Sequence, residues 1–338
     1  MNTAGRMTTG ITRRQACLAA AGGALWSASR AAMAQPAYPT RPPHLIVPFT
    51  PGGSSDVLGR AIGQELGRAW NQAVVIENVP GAGGSVGAEK VARAPADGYT
   101  LLMGHIGTLA VNPSLYPKLG YDPVRSFAPV AWVARVPNLL VVHASVPART
   151  LAELVALARA RPGQLAYGSG GNGSAAHMTM EYLKLQTGSS FLHIPYKGTA
   201  PSVNDLLAGQ VQVLFTGAPA LLPHIKAGKM RALAVSSPRR IAPLPEVPTV
   251  AESGVAGSHG FEADQWYGVV APAGTPPEIV ALLNQQINRS LGSSEVGARL
   301  AAEGAEATPA TPQVFGQLIA SEIQRWARVI KAAHITVD

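Results

Sequence analysis

Two glycine-rich segments of the sequence have the composition of anion-binding turns. The first runs from Pro48 to Asp56 and reads Pro-Phe-Thr-Pro-Gly-Gly-Ser-Ser-Asp. The second runs from Tyr167 to Ser174 and reads Tyr-Gly-Ser-Gly-Gly-Asn-Gly-Ser. Each follows a short apolar run and precedes residues with helical spacing, so each is expected to join a strand to a helix.

Such turns can bind an anion because a helix begins with backbone N–H groups that have no partner. These groups and the positive end of the helix dipole favour negative charge. Glycine lets a ligand approach the backbone and permits φ values that other residues avoid. The two turns lie about 115 residues apart, which predicts two lobes that hold one anionic ligand between them.

Strand and helix patterns alternate along the chain. Strands are predicted at 45–47, 73–77, 99–103, in two pieces within 130–142, and at 165–167, 192–195, 211–215, 232–235 and 266–271. Helices are predicted at 57–70, with Asp56 as N-cap, and at 85–93, 151–160, 175–187, 200–208, 276–291, 295–303 and 312–333. This alternation predicts an α/β fold with mainly parallel sheets, whose ligands lie beyond the carboxyl ends of the strands.

Other chemistries have little support in the sequence. A hydrolase nucleophile turn needs glycine two residues before the serine, but Ser169 has Tyr167 there and Ser174 has Asn172. The segment 81–87 resembles a dinucleotide loop, but Val86 replaces its third glycine. The histidines have no metal-ligand spacing, and no block of Lys and Arg indicates nucleic acid. We therefore predict no catalytic residue, no metal and no cofactor.

The N-terminus has the pattern of a secretory signal. Arg13 and Arg14 precede an apolar stretch at 16–26, and Ala-Met-Ala at 32–34 forms a small-residue cleavage site. The paired arginines suggest twin-arginine export, although ordinary Sec export stays open. The signal peptide is expected at 1–34, with cleavage near Ala34 and a periplasmic mature protein.

Cleavage would leave about 304 residues, a two-domain length, and would remove Cys17, the only cysteine. The formal net charge would fall from +8 to +4 with the loss of four arginines. Hydrophobic residues make up 47% of the chain and charged residues 14%. This composition fits a compact globular protein with a sizeable core.

Motifs along nearly the whole mature chain occur in the order of one known family. They lie at 45–49, 51–56, 74–84, 97–102, 112–113, 121–123, 167–177, 195–198, 223–229, 231–235, 248–252, 266–268 and 271–276. The chain thereby resembles the Bug-type periplasmic solute receptors of tripartite tricarboxylate transporters. The resemblance implies a type II periplasmic-binding-protein fold, with one lobe at 35–137 and 262–338 and the other at 138–261.

The resemblance also implies a small carboxylate ligand held by backbone amides, hydroxyl groups and waters in a cleft between the lobes. The implied binding residues are Pro51, Gly52, Gly53, Ser54, Ser55, His105, Thr108, Ser169, Gly170, Gly171, Asn172, Gly173, Ser174, His177, Tyr196 and Thr216. For Ser54, Ser55 and His177 a purely structural role stays open. Substitution of Gly83 is expected to alter stability more than affinity.

The implied partners are the membrane subunits of a transporter, and the protein is expected to be a monomer. The family often has Asp where this chain has Thr216, which favours a plain or aromatic acid over an amino acid. Two alternatives stay open: a ligand-sensing module for a signalling partner, and an exported hydrolase or transferase.

Overall fold

The computed structural model describes residues 38–337. The predicted signal peptide at 1–34 lies outside the described residues. Among the described helices, none combines the length and the apolar character needed to cross a membrane.

Strands and helices alternate as the sequence predicts. The strands are β1 (His44–Val47), β2 (Val75–Asn78), β3 (Thr100–His105), β4 (Phe127–Val136), β5 (Asn138–His143), β6 (Ala166–Ser169), β7 (Leu192–Pro195), β8 (Val213–Gly217), β9 (Met230–Val235), β10 (Gln265–Pro272) and β11 (Glu306–Ala307). The helices are α1 (Ser54–Trp70), α2 (Ser85–Ala92), α3 (Asn112–Leu115), α4 (Leu151–Ala160), α5 (Ala175–Thr187), α6 (Thr199–Leu207), α7 (Ala218–Lys226), α8 (Pro277–Leu291), α9 (Ser294–Ala302) and α10 (Pro312–Ala332).

The strands of the described residues form two sheets with the same arrangement. One sheet has the order β11-β4-β10-β3-β1-β2, and the other has the order β7-β6-β8-β5-β9. In each, a central strand, β10 or β5, runs antiparallel to both of its neighbours. Both sheets are therefore mixed, which corrects the expectation of mainly parallel sheets. The reason is that β10 and β5 adjoin the segments where the chain passes between the sheets, so they enter from the opposite end.

The second sheet is buried on both faces, and β5 shows how the sequence achieves this. Its side chains alternate between two apolar clusters, with Leu140 and Val142 in one and Leu139 and Val141 in the other. All four are 0% exposed. A strand with period-2 geometry and apolar residues on both faces must be covered by helices on both sides.

The first sheet packs against α10 through Phe315, which is 0% exposed and meets Trp266 edge to face with ring centroids 5.8 Å apart. Gly268 in β10 leaves the space for this ring. A Cβ atom built on Gly268 would overlap the Phe315 ring and lie 2.7 Å from the carbonyl oxygen of Ala131.

We expect Gly268→Ala to lower the free energy of unfolding by about 1–3 kcal/mol, because the added methyl overpacks the core. The control is Gly297→Ala in α9, where a Cβ meets nothing within 4 Å. That change should raise the free energy of unfolding by about 0.5–1 kcal/mol through helix propensity. Urea unfolding monitored by circular dichroism measures both. Equal effects would contradict this account of the packing of α10.

Candidate functional site

The two predicted glycine-rich turns meet at a small cavity between the sheets. It lies beyond the carboxyl ends of β1, β3, β6 and β8, where the α/β arrangement predicts a ligand. Its lining residues are Phe49, Gly53, Ser54, Ser55, His105, Gly170, Ser174, Ala175, Ala176, Thr199, Thr216, Gln265 and Tyr267. Asp, Glu, Lys and Arg are absent from this lining, so the polar groups available to a ligand are amides, hydroxyls and one imidazole.

The cavity has a volume of about 20 Å³. That volume suits about one water molecule, far less than a drug-sized ligand needs. The two sheets are therefore closed on each other in this structure, and a ligand could enter only if they moved apart.

Three of the four helices that begin beside the cavity lack side-chain caps. The N-caps of α1, α6 and α7 are Gly53, Gly198 and Gly217, and none of them provides a capping side chain. Among the other helices, Thr150, Ser293 and Thr311 each accept a backbone N–H at the starts of α4, α9 and α10, and Ser174 caps α5 at the cavity itself. The helices α2 and α8 have no side-chain cap. Glycine N-caps thus leave the first N–H groups of α1, α6 and α7 available to a ligand.

The first turn is held in place by Asp56. Its carboxylate accepts bonds from the Gly52 N–H at 3.0 Å, from Arg60 Nε at 2.9 Å and from Asn78 Nδ2 at 3.0 Å. Burial works to raise the pKa of Asp56, but these hydrogen bonds outweigh burial and lower it. The sequence predicts Asp56 as the N-cap of this helix, and that prediction is wrong. Gly53 is the N-cap, and Asp56 braces the turn from within the first helical turn.

The first glycine-rich turn also carries the buried hydroxyl of Ser54, whose hydrogen bonding is incomplete. Ser54 is 4% exposed, and within residues 38–337 its oxygen makes no hydrogen bond of good geometry, although the phenol of Tyr267 lies beside it. A buried hydroxyl without such a bond carries a free-energy cost. A ligand oxygen in the cavity would remove that cost.

The second turn is supported from behind by stacked rings. Ser174 caps α5 by accepting the N–H of His177, and the Gly173 N–H donates to Nδ1 of His177 at 3.1 Å. His177 stacks on His193 with centroids 4.1 Å apart, and His193 in turn stacks on Tyr167. Burial lowers the pKa of His177 to about 4 and that of His193 to about 3. Both rings are therefore neutral at pH 7, and His177 supports the turn.

His105 lies in the wall of the cavity at the end of β3. Its Nδ1 accepts the backbone N–H of Thr108 at 3.2 Å, and the Thr108 hydroxyl donates to the His105 carbonyl at 3.1 Å. Burial lowers the pKa of His105 to about 3. A neutral imidazole that accepts at Nδ1 carries its proton on Nε2, so His105 can donate one hydrogen bond from Nε2.

The structure places the predicted site residues in two groups. Those that line the cavity are Gly53, Ser54, Ser55, His105, Gly170, Ser174 and Thr216. Those found in the surrounding turns or in a neighbouring cavity are Pro51, Gly52, Thr108, Ser169, Gly171, Asn172, Gly173, His177 and Tyr196. Which of them contact a ligand stays a prediction.

The neighbouring cavity, of about 140 Å³, shows how the two sheets touch each other. It lies between the turn 81–83 and the turn 170–172. The Tyr116 hydroxyl donates to the Asn172 carbonyl at 2.8 Å, and a Cβ built on Gly83 would overlap that same carbonyl. The expectation that substitution of Gly83 alters stability more than affinity stays a prediction. Gly83 abuts the second glycine-rich turn, so a side chain there would also hold the sheets apart.

Sequence reasoning missed six lining residues: Phe49, Ala175, Ala176, Thr199, Gln265 and Tyr267. Thr199 had a usable signal, because Gly198 precedes it between a strand and a helix in the same pattern as the two recognised turns. Gln265 and Tyr267 had no local signal. They reach the cavity because β10 lies antiparallel beside β3, which only the tertiary fold establishes.

A larger groove of about 720 Å³ lies elsewhere, between the end of β4, the segment 237–243 and α9. Two of its arginines are already paired: Arg135 lies 2.8 Å from Glu262, and Arg240 lies 2.9 Å from Glu252. The larger volume of this groove therefore does not make it a better candidate ligand site than the small cavity. The uncapped starts of α1, α6 and α7 and the hydroxyl of Ser54 all lie beside the small cavity. Within residues 38–337, no group of three or more His, Cys, Asp or Glu could hold a metal ion.

Comparison with known proteins links this architecture to transport receptors. Residues 58–335 match the family described as tripartite tricarboxylate transporter family receptor, TctC. The chain is 43% identical to the protein BugT of Bordetella pertussis over 295 residues, which cover 87% of this chain and 90% of that protein.

Two solved structures are similar to this one. The structure of R. palustris Rpa4515 with adipate has a TM-score of 0.86 and 42% identity, covering 88% of this chain and 99% of that one. The structure of MatC (Rpa3494) from Rhodopseudomonas palustris with bound malate has a TM-score of 0.82 and 35% identity, covering 87% and 100%.

The buried His105 should make stability depend on pH. An imidazole with its pKa lowered to about 3 stays neutral in the fold, whereas the unfolded chain takes up a proton below about pH 6.5. The contribution of the neutral His105 to the free energy of unfolding is fully present above pH 6.5 and is lost as the pH falls. Between pH 7.5 and pH 5 this loss should be about 2 kcal/mol.

We therefore expect His105→Gln to reduce the difference in unfolding free energy between pH 7.5 and pH 5 by about 2 kcal/mol. The exposed His259, changed to Gln, should leave the difference as in the wild type. Asp264, whose pKa burial raises to about 6, acts in the opposite direction but is common to all three proteins. Denaturant unfolding at the two pH values measures this. An unchanged pH dependence in His105→Gln would show that His105 is not held neutral.

Proposed function

Because the chain belongs to the tripartite tricarboxylate transporter receptor family, we propose that it captures a small carboxylate between its two sheets and delivers it to a membrane transporter. The family and its structural neighbours are solute-binding receptors, in agreement with the prediction of a protein that is not an enzyme. The predicted periplasmic-binding-protein fold is confirmed by the same neighbours.

One observation carries the ligand class: the helices α1, α6 and α7 start beside the cavity without side-chain caps. An anion there would receive hydrogen bonds from backbone N–H groups and would lie at the positive ends of helix dipoles. The Ser54 hydroxyl, which makes no hydrogen bond of good geometry in the described residues, would add another donor. A cation would meet these same dipoles unfavourably, and the lining contains no carboxylate to offset them.

The relatives support a carboxylate in particular. One solved relative is described with adipate and another with bound malate. Both compounds are small dicarboxylates. We infer that the ligand of this chain is of the same class, held by neutral donors from both glycine-rich turns.

Opening and closing would occur at the two segments where the chain passes between the sheets, near Pro137 and at 236–264. This divides the protein into lobes at 35–137 with 262–338 and at 138–261, as proposed from the sequence. Closure would bring Asn172 against Gly83 and Tyr116, as in the present structure.

The family supports a proposal for the location and the partner of the protein. A receptor of this kind works in the periplasm, as a monomer in our proposal, and passes its ligand to membrane subunits. N-terminal sequencing of the exported form would test whether the mature chain starts near Gln35. Loss of carboxylate uptake in cells that lack the protein would test delivery.

We expect Ser54→Ala to weaken binding of a dicarboxylate by about tenfold to a hundredfold, because it removes one hydrogen bond to a charged group. Ser294→Ala is the matched control, since Ser294 is likewise the first residue of a helix but lies away from the cavity. Isothermal titration with adipate and malate measures the affinities. If no mono-, di- or tricarboxylate binds the wild-type protein or shifts its melting temperature, the proposed function is wrong.

The second turn gives an independent test of a grip from both lobes. Gly171 has φ +112° and Gly188 has φ +60°, so alanine is strained at both. A Cβ on Gly171 would lie 2.9 Å from the Tyr196 carbonyl oxygen and 3.8 Å from the Gly83 nitrogen across the cleft, whereas one on Gly188 meets nothing within 4 Å. Gly171→Ala should weaken carboxylate binding at least about tenfold, and Gly188→Ala should only lower stability by about 1 kcal/mol. Wild-type affinity in Gly171→Ala would argue against the second turn as part of the grip.

A further inference from the structure

A chain of buried amides determines which way the hydroxyl of Tyr267 points. Tyr267 lines the ligand cavity, is 2% exposed and donates to Oε1 of Gln265. Gln265 in turn donates from Nε2 to Oδ1 of Asn138. The direction of this chain decides whether Tyr267 offers a ligand a donor or an acceptor.

Asn138 anchors the chain because one of its neighbours can only accept. Its side-chain nitrogen lies 2.7 Å from the backbone carbonyl oxygen of Ala263 and 2.9 Å from the hydroxyl of Thr179. A carbonyl oxygen has no proton to give, so the Asn138 atom that faces it must be the NH₂ group. The Asn138 oxygen must therefore face Gln265.

The orientation of Asn138 also fixes the orientation of the Gln265 amide. Since the Asn138 oxygen is an acceptor, Gln265 must present its NH₂ group to it and its oxygen to Tyr267. The phenol then donates its single proton to Oε1 of Gln265. Towards the cavity, the Tyr267 oxygen offers only lone pairs.

Two hydroxyl groups beside Tyr267 can donate either to its oxygen or to a bound carboxylate. The hydroxyls of Ser54 and Ser55 lie beside the phenol of Tyr267. Each hydroxyl has one proton, and a serine that donates it to a carboxylate cannot donate it to Tyr267. A carboxylate that accepts from both serines therefore leaves the Tyr267 oxygen without a donor from either of them.

We propose that this donor is a hydroxyl group of the ligand, so that the site selects hydroxy carboxylates over their deoxy counterparts, and that Tyr267 is the residue that determines this preference. The inference rests on the proposed function and refines its substrate class. A neutral hydroxyl suits the site better than an ammonium group, because the cavity lining contains no Asp or Glu to balance a positive charge.

Pairs of acids that differ only in the hydroxyl test the preference in the wild-type protein. Isothermal titration would compare L- and D-malate with succinate, and lactate with propionate. One neutral hydrogen bond corresponds to about a three- to tenfold tighter binding of the hydroxy acid. Aspartate, with an ammonium group in place of the hydroxyl, should bind more weakly than malate.

Tyr267→Phe tests the role of the residue itself. The variant should bring the ratio of the two dissociation constants in each pair close to one. Tyr182→Phe is the control, since Tyr182 stacks on Phe261 outside the cavity, and it should keep the wild-type ratio.

Two results would overturn the inference. One is equal affinity of the wild-type protein for the hydroxy acid and its deoxy partner, which would mean that water supplies the donor to Tyr267. The other is an unchanged ratio in Tyr267→Phe. Either result leaves carboxylate binding intact and is therefore distinct from failure of the proposed function, in which no acid of any pair binds.

Discussion

The proposed function places one constraint on the structure: a negative charge would have to be held in a closed cavity whose lining, among the described residues, has no cationic side chain. An ion removed from water without compensation is strongly destabilised. Backbone N–H groups can supply the compensation only where helices start and nothing else caps them. Gly53, Gly198 and Gly217 meet this condition, whereas Ser174 caps the fourth helix that starts beside the cavity, α5. The glycine-rich composition of the cleft thus follows from the charge of the proposed ligand.

The residues behind the turns keep these donors aimed at the cavity. Asp56 braces the first turn through three hydrogen bonds, and His177, stacked on His193, braces the second. Their ionisation states differ for a physical reason. Hydrogen bonds stabilise the charged form of Asp56, whereas burial favours the neutral form of His177. A neutral imidazole can accept the Gly173 N–H at Nδ1, and an imidazolium could not.

Sequence reasoning succeeded where the signal is local and failed where it is tertiary. The helices at 151–160 and 175–187 were predicted with the bounds that the structure has, because Thr150 and Ser174 mark their starts and Gly188 follows the second. The helix Ala218–Lys226 was missed because Pro219 and Pro223 interrupt its pattern, although Pro219 lies in its first turn, where proline is tolerated. The two turns were found because each contains its own glycines. Gln265 and Tyr267 were not, because only the pairing of β10 with β3 brings them to the cavity.

Tyr267 lies near the proposed hinge, whereas the glycine-rich turns that would bind the carboxylate lie farther from it. Asn138 begins β5 directly after Pro137, and Gln265 begins β10 directly after the segment 236–264, so the amide chain joins the two places where the polypeptide passes between the sheets. In a rigid rotation, atoms near the axis move least. If the sheets rotate about these passages, the glycine-rich turns separate while the amide chain stays together. The Tyr267 oxygen would then be oriented before a ligand arrives, and the N–H groups of the two turns would converge on the carboxylate only on closure. Preference for a hydroxyl would therefore be set by the fold near the hinge, and the tightness of anion binding by how far the lobes close.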